Sequence, residues 1–249
     1  MIRLILLLNM ASLVDKSGTA VITGSSSGLG YELSLCLVSK GWKVYGIDIK
    51  QCPSQLDPNY YYHQQSDLTC FSAVDSIVKC ISTSVDSVDL LVNCAGKMPT
   101  SIVARFDPLV AEDAFRVNVI SPIYLSKLLI KKLKLSLNPK VINISSIASE
   151  LAIPGEVVYS STKAALSQAS KIMSIEFARY GIAVYDVRPA LIRTQMTKHL
   201  SQLQRNEMMK RQALQKELVP ADFVKCILSI IDMPLETTGS ITYIGGIAN

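Results

Sequence analysis

Thr19-Ala20-Val21-Ile22-Thr23 followed at once by Gly24-Ser25-Ser26-Ser27-Gly28-Leu29-Gly30 decides the reading of this chain. The first five residues form a short β-branched strand, and a helical pattern follows from Tyr31 to Lys40. Strand, glycine turn and helix in that order predict a nucleotide-binding βα unit. Glycines suit the turn because its backbone takes unusual dihedrals, approaches a pyrophosphate closely and lets the helix sit tight on the strand. The helix start then offers unpaired N–H groups and a partial positive charge to the phosphates. A second strand, Lys43-Val44-Tyr45-Gly46-Ile47-Asp48, ends in a carboxylate 18 positions beyond Gly30. That is close to the spacing of about 20 at which an acidic residue holds a ribose 2′-hydroxyl. A carboxylate there repels a 2′-phosphate, and no Arg or Lys lies within Ser25 to Ser27, so the expected cofactor is NAD(H) over NADP(H); Lys50 is near enough to soften the preference.

Outward from this unit, apolar strands alternate with amphipathic helices to the end of the chain, without a linker, charge block or repeat. A length of 249 residues with 49% apolar content suits one domain over 19–249, an α/β fold with a parallel sheet of about seven strands and helices on both faces. Residues 1–18 read as an apolar extension and lead-in. Met1 to Leu8 is too short to span a bilayer and lacks a cleavage site, which leaves a packed arm, a weak interfacial anchor or a start at Met10. The net charge of +5 is dispersed apart from Lys127, Lys131, Lys132 and Lys134, whose spacing describes a solvated helix face or a patch for an acidic partner. Nucleic acid is not implied. The six cysteines form no CxxC pair, and with only His63 and His199 as histidines there is no metal-ligand spacing; reduced thiols and a cytoplasmic location are expected.

The second half carries the chemistry. Strand Lys140 to Ile144 runs into Ser145-Ser146, and Tyr159 follows Ser146 by 13 residues, with Lys163 four further on. Positions i and i+4 share a helix face, so the phenol and the ammonium can approach one site. A nearby cation is expected to lower a phenol pKa from about 10, suiting a residue that takes a proton from an alcohol or returns it to a ketone. Ser146 is favoured over Ser145 by the spacing.

Taken together, Thr23-Gly24-x-x-x-Gly28-x-Gly30, Asp67-Leu68-Thr69, Asn93-Cys94-Ala95-Gly96, Asn118, Ser146, Tyr159 and Lys163 resemble the motifs of the short-chain dehydrogenase/reductase family, over nearly the whole chain after residue 18. The resemblance implies a single doubly wound Rossmann-type domain and hydride transfer between a nicotinamide cofactor and an alcohol or ketone carbon. It implies that Ser146 bonds the substrate oxygen, Tyr159 acts as general acid/base, Lys163 also binds the nicotinamide ribose, and Asn118 supports a water in a proton relay. The implied cofactor-binding set is Gly24, Ser27, Gly28, Leu29, Gly30, Asp48, Asp67, Leu68, Asn93, Ala95, Gly96, Tyr159, Lys163, Pro189, Ile192 and Thr194. Cys94 stands where the family has a second Asn, and Ala190 where it has Gly after Pro189; the first puts one polar contact of the sheet in doubt, the second narrows backbone freedom. The resemblance further implies a substrate lid over about 190–219, containing Met196, Met208 and Met209, flanked by Lys97 to Pro99 and Glu150 to Glu156. A homodimer or homotetramer through the long helices beginning near Val117 and Val158 is also implied. The substrate is a small alcohol or carbonyl compound whose identity stays open among lipid, steroid, sugar and acyl thioester. The rival reading is a nucleotide-responsive binding protein of the same fold with little turnover.

Overall fold

A computed structural model describes residues 17–198 and 200–248. The readings made for the N-terminal apolar segment, and for His199, lie outside the described residues. Seven parallel strands form one sheet in the order β3-β2-β1-β4-β5-β6-β7. They are β1 (Thr19–Thr23), β2 (Lys43–Asp48), β3 (Tyr61–Gln65), β4 (Leu90–Asn93), β5 (Lys140–Ile144), β6 (Ala183–Pro189) and β7 (Ile241–Ile244). Strand order reverses between β1 and β4, and crevices at such a switch point, outside the carboxyl ends of the strands, are where doubly wound sheets bind ligands.

The strand pattern explains the two-sided core. Ala20 and Ile22 of β1, Leu90 and Val92 of β4, and Ile142 and Ile144 of β5 enter one apolar cluster, whereas Val21, Leu91 and Val141 enter the other. Period-two alternation therefore feeds both faces of a sheet whose central strands are buried. On the first face lie α1 (Gly28–Ser39) and the later helix Pro220–Asp232, which contributes Phe223, Val224, Ile227, Ile230 and Ile231 at helical spacing. On the second lie α2 (Phe71–Ser84), α4 (Ser121–Leu133) and α5 (Val157–Ala178), through residues such as Ile77, Ile81, Leu125, Leu129 and Phe177.

Between β4 and α4 runs α3 (Pro108–Phe115), capped by the Asp107 carboxylate, which accepts from the Leu109 N–H at 2.9 Å. A π-helical turn, Arg116–Ile120, joins α3 to α4, so the expected long helix near Val117 starts inside a bulge. Such turns are frequent at functional sites, and this one carries Asn118. The 190–219 segment contributes Ile192, Thr194, Met196 and Met208 to the cleft and carries one helix, α6 (Gln202–Lys210), held by a capping box between Ser201 and Gln204. The helix Pro220–Asp232 is hereafter α7. Of the lysine cluster, Lys132 donates to the Val85 carbonyl at 2.7 Å and Lys127 lies 5.3 Å from the Tyr124 ring centroid, so both cover the molecule's own surface. All six cysteines are free thiols. Among the described residues no helix is long and apolar enough to cross a membrane.

Candidate active site

A cleft of about 580 Å³ follows the carboxyl ends of the strands, from Gly24, Gly28 and Asp48 past Ser146, Tyr159 and Lys163 to the lid residues Met196 and Met208. At its first end, Gly24 has φ +70, and a Cβ there would come within 2.9 Å of the Ala95 backbone. At Gly30 a Cβ would fall 2.4 Å from the Gly24 carbonyl oxygen. The turn therefore requires glycine at both positions for its own closure. Ser27 precedes α1 without capping it, because its hydroxyl accepts from the Lys50 ammonium at 3.1 Å. An uncapped helix start lined by Gly28, Leu29 and Gly30 thus opens on the cleft, which fits a dinucleotide's phosphates.

Asp48 closes this end. One carboxylate oxygen accepts from the Ser26 N–H at 2.9 Å and the other from the Lys50 N–H at 2.9 Å. Asp67 is held similarly, accepting the Thr69 N–H and hydroxyl at 2.8 Å each, and the Thr69 backbone bond is the first cause holding its carboxyl below the usual range. The turn after β4 is shaped by Thr23, whose hydroxyl accepts the N–H groups of both Cys94 and Ala95 at 3.0 Å. These two bonds hold the backbone of the turn through Thr23 rather than through the side chain at position 94. Burial pushes the Cys94 thiol up to about 12, so it is an inert small side chain on the cleft floor. Asn93 lies beneath the cleft: its amide donates to Asn143 at 2.7 Å and Ser126 at 3.3 Å, tying β4 to β5 and α4.

In the middle of the cleft the two serines after β5 diverge. Ser145 donates to the Asp186 carboxylate of β6. Ser146 opens a 3-10 turn by accepting the Ala148 N–H at 3.1 Å and lines the cleft with Tyr159. Lys163, one helical turn beyond Tyr159, donates to the Ile144 carbonyl at 2.8 Å, and its ammonium lies 5.8 Å from the phenol ring centroid. The expected lowering of the Tyr159 pKa is corrected here. Burial pushes the phenol up to about 12, the Ser146 hydroxyl opposes this and Glu156 reinforces it. Burial also brings the Lys163 ammonium down to about 8, opposed by Cys94 and Asp186. Desolvation favours the neutral form of each group, and it outweighs an attraction that the i+4 spacing alone suggests.

Asn118 is fully enclosed and fully bonded: its Oδ1 accepts the Lys97 N–H at 2.8 Å, while Nδ2 donates to the Lys97 carbonyl at 2.8 Å and to Thr162 at 2.9 Å. It clamps the loop after β4 to α5. A Cβ on Gly96 would meet Asn118 at 3.4 Å and Lys163 at 3.5 Å, so the loop passes directly over the pair. Pro189, Ala190, Ile192 and Thr194 form the far wall. The Ile192 bridge to Leu218 is bonded through the Arg193 and Leu218 N–H groups, leaving the Ile192 N–H outside that ladder. Ala190 fits because Gly245 faces it: a Cβ at position 245 would stand 2.9 Å from that of Ala190. Of the expected flanking residues, Met98, Met196 and Met208 reach the cleft, whereas the Lys97 ammonium turns to Asp113 at 2.6 Å.

Sequence reasoning missed several residues of the site. Thr23 sits inside the quoted motif, but its double acceptance depends on a turn 71 residues away. The pairing of Asp186 with Arg188 at 2.8 Å, with Ser167 also donating to Asp186 at 2.7 Å, braces β6 against α5 behind Ser145 and carries no local signature.

The family model described as short chain dehydrogenase matches residues 18–205. The chain is 28% identical over 190 residues to the 3-oxoacyl-acyl-carrier-protein reductase FabG of Vibrio cholerae, covering 75% of this chain and 78% of the relative. It is 25% identical over 230 residues to an uncharacterized oxidoreductase of Staphylococcus aureus, covering 90% and 94%. Among solved structures it is similar to 4-hydroxyisoleucine dehydrogenase complexed with NADH, with a TM-score of 0.85, 26% identity and coverage of 92% of this chain and 98% of that one.

Proposed function

The chain belongs to the short-chain dehydrogenase family, and from that premise we propose that it transfers a hydride between NAD(H) and the carbinol or carbonyl carbon of a small molecule, with Tyr159 as general acid/base. The observation that carries the reading is the convergence of Ser146, Tyr159 and Lys163 on one cleft that is continuous with the glycine turn and Asp48. When bound, the nicotinamide cofactor supplies or accepts the hydride.

The chain's own residues do the rest. Ser146 hydrogen-bonds the substrate oxygen. Tyr159, neutral at physiological pH with its phenol near 12, donates its proton to a ketone oxygen; the other direction requires that it first give that proton up, so that its phenolate receives the alcohol proton. Lys163, anchored on the Ile144 carbonyl, carries positive charge beside the phenol below pH about 8 and holds the nicotinamide ribose. Asp48, fixed by two backbone donors, takes the adenosine ribose 2′-hydroxyl. Exposed apolar side chains on α3, the π turn and α5, among them Leu109, Ile120 and Ile175, suit pairing of two copies of the chain into a homo-oligomer. A cytoplasmic location accords with six free thiols.

The test is the initial rate of reduced-cofactor formation over a panel of secondary alcohols, hydroxysteroids and hydroxyacyl thioesters, with NAD⁺ or NADP⁺, for the wild type and Tyr159→Phe. Turnover that falls by about 10²–10⁴ in the variant, with cofactor binding retained, supports the reading. Equal turnover in both proteins would sink the role of Tyr159, and cofactor binding without turnover on any member would favour the nucleotide-responsive binding protein.

A further inference from the structure

Glu156 stands three residues ahead of Tyr159, at the N-cap of α5. Its backbone is fixed on both sides, its N–H donating to the Ile153 carbonyl at 3.1 Å and its carbonyl accepting the Ser160 N–H at 2.8 Å. The residue is 5% exposed and lines the same cleft as Ser146 and Tyr159, yet its Oε2 is buried without a hydrogen-bond partner. A carboxylate so placed is costly unless something donates to it. The start of α5 favours negative charge, but no side-chain cap bond forms there. Arg211 is the nearby opposing charge, and its guanidinium donates to the Ala152 carbonyl at 2.9 Å.

The surroundings narrow what can answer the carboxylate. Met98, Ala148, Ile153, Met196 and Met208 make the neighbouring wall apolar. Two of the lid's cations are already engaged, Arg205 with Glu217 and with the Thr197 carbonyl at 2.6 Å, and Lys210 with Glu207 at 2.7 Å. This part of the cleft therefore offers one anionic acceptor to an otherwise apolar ligand. A neutral donor would satisfy the hydrogen bond and leave the charge; an ammonium satisfies both. The Tyr159 phenol feels the Glu156 charge, so an ammonium bound there lies close to the carbon that reacts at Tyr159.

Building on the dehydrogenase reading, we propose that Glu156 is a specificity determinant that binds an ammonium group of the substrate, so that the preferred substrates are amino alcohols and amino ketones on apolar bodies. Calorimetric titration of the full chain saturated with NADH, which cannot accept a hydride from an alcohol, tests this without turnover. The probes are a straight-chain secondary alkyl alcohol and the same alcohol bearing an amine on the first or second carbon from the carbinol. Wild type is expected to bind one of the amino alcohols at least tenfold tighter than the parent alcohol, and Glu156→Gln to lose that preference while binding the parent within about twofold of wild type. Because the change removes a buried charge, the variant should melt no lower than wild type. No preference in wild type, including binding of neither probe, or a preference kept intact in Glu156→Gln, would overturn the assignment. Turnover of the same probes is scored separately: preference without turnover keeps Glu156 and sinks the dehydrogenase reading, and turnover without preference does the reverse.

Discussion

The Ser145 hydroxyl donates to the Asp186 carboxylate, whereas the Ser146 hydroxyl accepts the Ala148 N–H at 3.1 Å beside Tyr159 in the cleft. The two neighbours should therefore fail differently. Ser146→Ala is expected to lower kcat by about 10²-fold or more while the melting temperature holds. Ser145→Ala, which removes one of the donors to a buried carboxylate, should keep most of kcat and lose about 1–3 kcal/mol of stability in denaturant unfolding. The reverse pattern would exchange their roles.

On the proposed cofactor reading, Asp48 and Lys50 pull in opposite directions at the ribose. The Asp48 carboxylate is locked by the Ser26 and Lys50 N–H groups, while the Lys50 ammonium reaches Ser27 of the glycine turn. Asp48→Ser should lower the NAD to NADP ratio of kcat/KM by tenfold or more, about 1.4 kcal/mol. Lys50→Ala in the wild-type background should raise that ratio. A ratio unmoved by either change would remove the pair from cofactor selection.

Ala190 and Gly245 form a size pair. Gly245 has φ +97, and a Cβ there would meet Ala190 at 2.9 Å and Leu218 at 3.0 Å. Gly245→Ala is expected to destabilise the fold by about 1–3 kcal/mol through strain and overpacking. Adding Ala190→Gly should return part of that loss, the remainder being the dihedral strain. Full additivity in a double-mutant cycle would mean the two methyl groups do not compete.

Lys140 is a buried cation whose Nζ has no hydrogen-bond partner, and burial brings its pKa down to about 8 against the pull of Asp232. Between about pH 8 and 10.5 the unfolded chain binds more protons at this residue than the folded one, so its contribution to stability rises with pH across that window. Lys140→Met should be more stable than wild type at pH 7 and should flatten this rise. Tyr159, raised to about 12, acts with the opposite sign only above pH 10. Equal pH slopes for wild type and Lys140→Met in chemical denaturation would refute the assignment.

Local order along the chain was enough for the fold and the outline of the site. Alternating strands, helical periods and the glycine turn each reflect steric rules acting over a few residues, so β1, β2 and β5 have the bounds read from the sequence.

Glycine spacing, the acid ending β2 and the Tyr159–Lys163 step were thus determined by the sequence itself, since each is a short-range relation of backbone geometry. That Ser145 is tied to Asp186, where Asn93 and Asn118 place their amide bonds, how Ala190 is accommodated, and that Glu156 Oε2 is left without a partner were decided only by the tertiary structure. Those outcomes depend on partners up to 55 residues away and on the removal of water from the cleft floor, which raises the phenol and lowers the ammonium in opposition to their mutual attraction. Neither distance in space nor desolvation is written in residue spacing.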